Sequence, residues 1–246
     1  MARAAGGARG SLSDERPMRI GYVEDDPDQA ALIRRWLQAA GHVCHHFDRG
    51  HALRRSLARE SFDLYLLDWH LPDADGLALL GEIRARTPAS PVIFVTARDR
   101  DDDVARVLKA GADDFIGKPV RQGELLARIE ARARASHGHD GTHRIELPPF
   151  VVDRDARTVA RDGRRIELTD KEYALAEFLL GRAGQLVSRQ HLLEAVWGLS
   201  AKAQTRTVDT HMSRLRTKLG LAGGHGWRLA SVHQFGYRLE RADPPQ

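Results

Sequence analysis

Between Arg19 and Ala135 the chain alternates, five times over, a short apolar run with an amphipathic stretch. The runs are Arg19–Val23, His42–Phe47, Asp63–Asp68, Pro91–Thr96 and Asp114–Gly117, each too short for a helix and bounded by turn-forming residues. The stretches that follow them, about Asp28–Ala40, Gly50–Arg59, Leu77–Arg86, Asp99–Lys109 and Gln122–Ala135, carry apolar residues at helical spacing. Strands separated by helices cannot pair through tight turns. They lie parallel, with right-handed crossovers that put helices on both faces. The expected fold of this part is therefore α/β, a doubly wound five-stranded parallel sheet of order 2-1-3-4-5.

In such a sheet strands one and three are neighbours at the switch point, and ligands bind in the crevice outside their C-terminal ends. Asp68 leaves the third strand there and Glu24-Asp25-Asp26 leaves the first, so Glu24, Asp25 and Asp68 are expected to converge. Three carboxylates in one crevice repel each other and call for raised pKa values or a cation. Hard oxygen ligands with open positions suit Mg²⁺, which keeps several waters and bridges to phosphate. The fourth strand ends in Thr96-Ala97 and the fifth is followed by Lys118-Pro119, adding a hydroxyl and an ammonium. Each group has an ordinary structural use, as a helix cap, a strand-end hydroxyl or a solvated lysine. Together, at the C-terminal ends of strands one, three, four and five, they are the parts that phosphoryl transfer to a carboxylate requires.

Residues 19–135 resemble a CheY-like receiver domain through YVEDDP, LLDWHLPDADGL, FVTARD and GADDFIGKP, in that order. The resemblance implies phosphorylation on Asp68, Mg²⁺ held by Asp25, by Glu24 through water and by the backbone carbonyl of His70, and phosphoryl binding by Thr96 and Lys118. Phe115 would be the aromatic switch that turns inward with Thr96. Two departures stand out: Val120 replaces the commoner Phe after Lys-Pro, and Phe115 lacks the hydroxyl that many relatives carry.

Net charge is +4, and it is not evenly spread. Residues 18–136 carry 18 Lys and Arg against 19 Asp and Glu, whereas residues 143–246 carry 17 against 12. The excess positive charge lies in the second half and points to an anionic partner, nucleic acid before membrane, because no amphipathic anchor accompanies it. The expected organisation is a disordered leader over 1–17, a first domain over 18–136, a small polar linker over 137–142, a second domain over 143–241 and a tail over 242–246. No apolar run is long enough to span a membrane and the start has no signal-peptide core, so a cytoplasmic protein is expected. The single cysteine, Cys44, rules out an internal disulfide framework.

In the second half, Ile145–Leu168 reads as short antiparallel strands, and Thr169 to Glu172 has the spacing of a capping box opening a helix that ends near Gly181. Ser188 caps another helix to about Trp197, a third spans about Thr207–Leu219, and Trp227–Leu239 reads as a closing hairpin. In the third helix Val208, Met212, Leu215 and Leu219 form one apolar face, with Arg206, Thr210, Ser213, Arg214 and Thr217 opposite. A helix buried on one side and carrying Arg, Thr and Ser on the other fits a major groove, although an amphipathic surface helix shows the same pattern.

Residues 144–240 resemble the winged-helix effector domain of OmpR/PhoB-type response regulators through LTDKEYALAEFLL, LVSRQHLLEAVWG, RTVDTHMSRLRTKLG and FGYRLE. The resemblance implies a recognition helix over about Thr207–Leu219, with Ser213 and Arg214 at base edges and Arg206, His211, Arg216, Trp197 and Tyr237 on the DNA backbone. The wing departs from the usual Thr-Val-Arg-Gly-x-Gly-Tyr: Ser231-Val232-His233-Gln234-Phe235-Gly236-Tyr237 has His for Arg and Gln for the first Gly.

The fourth-helix, fifth-strand and fifth-helix face, which relatives use to dimerise, carries Lys109, Asp113, Asp114, Glu124, Arg128 and Glu130. Asp114 with Arg128 and Lys109 with Glu130 are the pairs expected across such an interface. The resemblance thus implies a two-component response regulator, phosphorylated by a sensor histidine kinase. It would dimerise on phosphorylation, bind tandem half-sites in double-stranded DNA and contact RNA polymerase. Such a chain is no enzyme beyond its own phosphorylation and dephosphorylation. Two other classes remain open at this point. One is a DNA-binding regulator whose receiver serves only dimerisation. The other is an aspartyl-phosphate phosphohydrolase, which needs a second Asp where this chain has His70.

Overall fold

A computed structural model of the chain describes residues 17–97, 101–136, 143–198 and 205–242. The expected leader lies outside these residues apart from Pro17, as do the linker and the tail beyond residue 242. The first domain has strands β1 (Arg19–Val23), β2 (Val43–Phe47), β3 (Leu64–Leu67), β6 (Val92–Thr96) and β7 (Asp114–Gly117) in one sheet of order β2-β1-β3-β6-β7. All four pairings are parallel, so the expected topology holds. Between β3 and the next helix the chain makes a two-residue-per-strand hairpin, β4 (His70–Leu71) with β5 (Ala74–Asp75), where the sequence reads as a plain loop.

Alternation along the strands divides the core. Leu64, Leu66, Ile93 and Val95 face one way, onto helices α1 (Pro27–Ala39) and α5 (Gln122–Ser136). Tyr65, Leu67, Val92 and Phe94 face the other, onto α2 (Gly50–Leu57), α3 (Gly76–Arg86) and α4 (Asp101–Lys109). The helix starts are fixed locally: the Asp26 carboxylate accepts from the backbone N–H of Asp28 and Gln29, and Asp75 accepts from Leu77 N–H. Asp73, from the small hairpin, accepts from Gly50 N–H at 2.9 Å and so caps α2 from outside its own segment.

The second domain opens with an antiparallel sheet of order β11-β10-β9-β8, made by β8 (Arg144–Leu147), β9 (Phe150–Asp153), β10 (Thr158–Arg161) and β11 (Arg164–Ile166). Helix α6 (Asp170–Leu180) starts at a complete Thr169/Glu172 capping box. Strand β12 (Leu186–Ser188), helices α7 (Arg189–Trp197) and α8 (Thr205–Leu219), and strands β13 (Trp227–Val232) and β14 (Gly236–Arg241) follow. The closing hairpin is a three-stranded sheet, β12-β14-β13, whose first strand the sequence reading missed because its three residues lie directly before a helix cap. Gly236 permits that approach, for a Cβ there would lie 2.0 Å from Val187 O. One core, with Phe150, Tyr173, Leu192, Met212, Leu215 and Leu239 among its buried members, joins both sheets to the three helices.

Candidate functional site: an acidic crevice and a basic helix

The four strand ends converge as the topology requires. Glu24 follows β1, Asp68 follows β3, Thr96 closes β6 and Lys118 follows β7. Glu24, Asp25 and Asp68 each bring a carboxylate oxygen within 4.8 Å of the others. Glu24 and Asp68 are buried and Asp25 is exposed, so the cluster opens to solvent on one side. The Lys118 Nζ donates to Asp68 Oδ2 at 2.7 Å and to the two Glu24 oxygens at 2.9 and 3.1 Å. Asp68 Oδ1 accepts from His70 N–H at 3.1 Å. Thr96 is fully buried at the floor.

Glu24 is held from behind. Gln29 Nε2 donates to its Oε2 at 2.5 Å and the buried Tyr22 hydroxyl at 3.3 Å, while its own carbonyl accepts from His46 Nε2 at 2.8 Å. Burial raises the Glu24 pKa; the Lys118 hydrogen bond opposes this, and the neighbouring Asp68 charge adds to the rise. Burial works against the Lys118 charge, but its hydrogen bonds to Asp68 and Glu24 win, holding its pKa above the ordinary value. One ammonium among three carboxylates leaves net negative charge in the crevice. That charge and an all-oxygen donor set fit a divalent hard cation such as Mg²⁺.

Phe115 lies on β7, half-buried against the core face that includes Phe94. His70 is exposed at the start of the small hairpin, paired in register with Asp75.

On α8 the four apolar residues are buried, and Arg206, Thr210, Ser213, Arg214 and Thr217 are exposed, as the helical spacing predicts. The helix begins at Thr205, two residues before the expected start. Several expected DNA contacts are engaged within the domain. Arg216 donates through Nε and Nη2 to Leu229 O at 3.2 and 2.9 Å, fastening α8 to β13. Tyr237 is buried, and its hydroxyl donates to Asp209 Oδ1 at 2.5 Å. Burial and that hydrogen bond push the Tyr237 pKa up to about 12. His211 is half-buried, with Nδ1 2.9 Å from Thr207 O and its ring edge-on to Trp197. In the wing, Gln234 adopts φ +57°, in the left-handed region that favours glycine, which is why Gln at this position is a departure with a backbone cost.

The expected dimer face is laced within one chain. Asp114 accepts from Arg128 at 2.8 Å and pairs with Arg132 at 3.1 Å, and Arg128 also reaches Glu124 at 2.9 Å. Asp113 is taken by Arg84 and by Val92 N–H, so it ties α3 to β6 and β7. Lys109 is exposed and Glu130 half-buried.

Residues 20–130 match the family described as response regulator receiver domain, and residues 163–239 match transcriptional regulatory protein, C terminal. The phosphate regulon transcriptional regulatory protein PhoB of Rhizobium meliloti is 34% identical over 224 residues, 90% of this chain and 98% of that protein. The chain belongs to the OmpR/PhoB-type response regulators. The sensory transduction protein RegX3 of Mycobacterium tuberculosis is 34% identical over 223 residues, 89% of this chain and 97% of its own. Among solved structures, the response regulator DrrB of Thermotoga maritima, an OmpR/PhoB homologue, is 27% identical with a TM-score of 0.45, covering 91% of this chain and 99% of that one. The chain is thus a two-component transcriptional regulator with a receiver and a DNA-binding effector domain. Among the described residues no helix is long and apolar enough to cross a membrane.

Proposed function

We propose that Asp68 is the phosphoacceptor of this response regulator, and that a sensor histidine kinase in the cytoplasm supplies the phosphoryl group. The observation that carries this is the Lys118 ammonium held 2.7 Å from Asp68 Oδ2. It orients the Asp68 carboxyl as a nucleophile and stands ready to meet the charge on an incoming phosphoryl oxygen. In the transfer an Asp68 oxygen forms the new P–O bond, and the bond from phosphorus to the donor's imidazole nitrogen breaks. Asp25 and Asp68, Glu24 through water and the His70 carbonyl would hold Mg²⁺. The ion would supply charge neutralisation at the transferring group. Thr96 donates its hydroxyl to a phosphoryl oxygen, and Phe115 follows it inward.

The signal then passes to the face built from α4, β7 and α5, where Lys109, Asp113, Asp114, Glu124, Arg128 and Glu130 change partners as two receivers associate. Two effector domains are thereby placed on tandem half-sites about 10–10.5 bp apart. Arg214 and Ser213 read base edges, Arg206, Thr210 and Thr217 fix register on the phosphates, and RNA polymerase is the onward partner. The chain carries no catalytic activity beyond its own phosphoryl chemistry.

The test is the intact mass of the purified protein after incubation with acetyl phosphate and Mg²⁺. A single phosphoryl adduct on the wild type and none on Asp68→Asn is expected. An adduct retained by Asp68→Asn would sink the assignment. No adduct on the wild type, where a control receiver labels, would leave a regulator that works without phosphorylation.

A further inference from the structure

A lysine ammonium has three N–H donors and no acceptor. Lys118 spends them all within the crevice, on Asp68 Oδ2 at 2.7 Å and on Glu24 Oε2 and Oε1 at 2.9 and 3.1 Å. It can follow a phosphoryl oxygen on Asp68 only by giving up Glu24. The Glu24 side chain has no exposure to solvent. A buried carboxylate that loses its cation is tolerated only where other donors remain.

Three donors do remain, and none belongs to a group that the phosphoryl chemistry uses. Glu24 Oε1 accepts from Asp26 N–H at 3.4 Å. Its Oε2 accepts from Gln29 Nε2 at 2.5 Å and from the Tyr22 hydroxyl at 3.3 Å.

The two side-chain donors are more than a helix start and a core ring require. Gln29 is the third residue of α1, the position from which a capping box returns a side chain to the N–H of the cap, here Asp26. Its amide turns to Glu24 instead, and Glu24 takes the Asp26 N–H. Asp26 Oδ1 still accepts from Gln29 N–H at 3.2 Å, so the half of the box that secures the helix is kept. Tyr22 is fully buried on β1 in the cluster of Ile20, Leu64 and Leu66. An apolar ring would fill that space; the hydroxyl is the one part that needs a partner, and it finds Glu24.

We propose that Tyr22 and Gln29 are positioning residues that keep Glu24 in place while Lys118 turns from it to the phosphoryl group. Neither touches the reacting atoms, and both act through Glu24. The inference rests on the reading of Asp68 as the phosphoacceptor. It makes the movement of the lysine a local exchange of hydrogen bonds, with Glu24 left facing the cation site throughout.

The test is a double-mutant cycle on the full-length protein. Tyr22→Phe and Gln29→Met keep the ring and the chain length and remove only the donor. Each is made in the wild type and in the Lys118→Met background. Gln38→Met, an exposed position on the same helix, is the control. Mn²⁺, which takes the same hard oxygen ligands as Mg²⁺, is the probe, and the EPR signal of the free ion gives its Kd. With Lys118 present Glu24 keeps its other holder, and each substitution should raise the Kd by about threefold at most. In the Lys118→Met background the remaining donors hold Glu24 alone. There Gln29→Met should raise the Kd about tenfold, and Tyr22→Phe, whose bond is longer, about fivefold. Gln38→Met should change neither. Equal fold-changes in the two backgrounds would overturn the exchange, because residues that merely support the fold act independently of Lys118. Unchanged affinity of both variants in the Lys118→Met background would overturn the positioning role. Should Gln29→Met fail to fold, Tyr22→Phe carries the cycle alone. A wild type that binds Mn²⁺ but takes no phosphoryl group from acetyl phosphate would overturn the phosphoacceptor reading and the destination of Lys118 with it, while the cycle still decides the hold on Glu24.

Discussion

Gly76 opens α3 directly behind the loop that carries Asp68, and replacing it with Ala offers a graded way to disturb that loop without touching a charged group. A Cβ on Gly76 would lie 2.8 Å from Asp68 O, 2.9 Å from Trp69 Cα and 2.9 Å from Phe94 Cε1. The Phe94 ring can tilt, but the other two atoms are backbone, and the Gly76 N–H is bonded to Trp69 O at 3.0 Å, so loop and helix start must separate. Restoring ordinary contact takes about 0.5 Å or more. Overpacking of this kind costs about 1–3 kcal/mol. At about 4 °C per kcal/mol for a domain of this size, Tm should fall by roughly 4–12 °C. Moving Asp68 away from Lys118 by half the 1 Å shift that typically costs about a hundredfold should slow labelling by acetyl phosphate about tenfold. Gly81→Ala is the control, since a Cβ there meets nothing within 4 Å. As an exposed position inside α3, it should gain about 0.5–1 kcal/mol and label normally. Wild-type Tm and wild-type labelling rate in Gly76→Ala would refute the reasoning.

Arg214→Ala should relax sequence preference by about 1–3 kcal/mol at one base pair, because Arg214 is exposed on the groove face of α8. Arg216→Ala should weaken binding to specific and random duplex alike, because it releases β13 from α8; equal effects of the two variants in a paired titration would count against the groove assignment. Burial pushes the Asp63 carboxyl up, but His191 and Arg182 prevail and hold it well below its ordinary 3.8. A depressed carboxylate stabilises the fold above its unfolded pKa and loses that contribution as pH falls through the folded value. The stability gap between wild type and Asp63→Asn in denaturant should therefore be constant from pH 7 to pH 5 and close only below about pH 4; a gap that closes near pH 6 would contradict the pairing.

The crevice was legible in the sequence because its chemistry follows from topology. Once five strands are read as parallel, Glu24, Asp68, Thr96 and Lys118 fall at the same C-terminal end of the sheet. The amphipathic faces of α8 were equally legible, since Val208, Met212, Leu215 and Leu219 repeat at helical spacing. What the sequence concealed were partnerships between distant residues. Asp63 reads as the first residue of a strand, and nothing local signals that Arg182 and His191 will reach it. Tyr237 and Arg216 are expected as DNA contacts through the family resemblance, but burial and geometry commit them to Asp209 and Leu229 O. Strand β12 escaped because three residues beside a helix cap carry no period.

The knot around Asp209 has its own consequence. Arg189 of α7 donates to Asp209 of α8 at 2.8 Å, Tyr237 of β14 donates to the same oxygen, and the Arg189 guanidinium lies 5.0 Å above the Tyr237 ring. Among the described residues α7, α8 and the wing strand β14 are thus pinned at one point, and they form together the head that would meet a duplex. A signal arriving from the receiver meets these three elements already tied together at Asp209. It can alter how many heads meet the duplex, how far apart and how often, and it leaves unchanged which bases each head prefers.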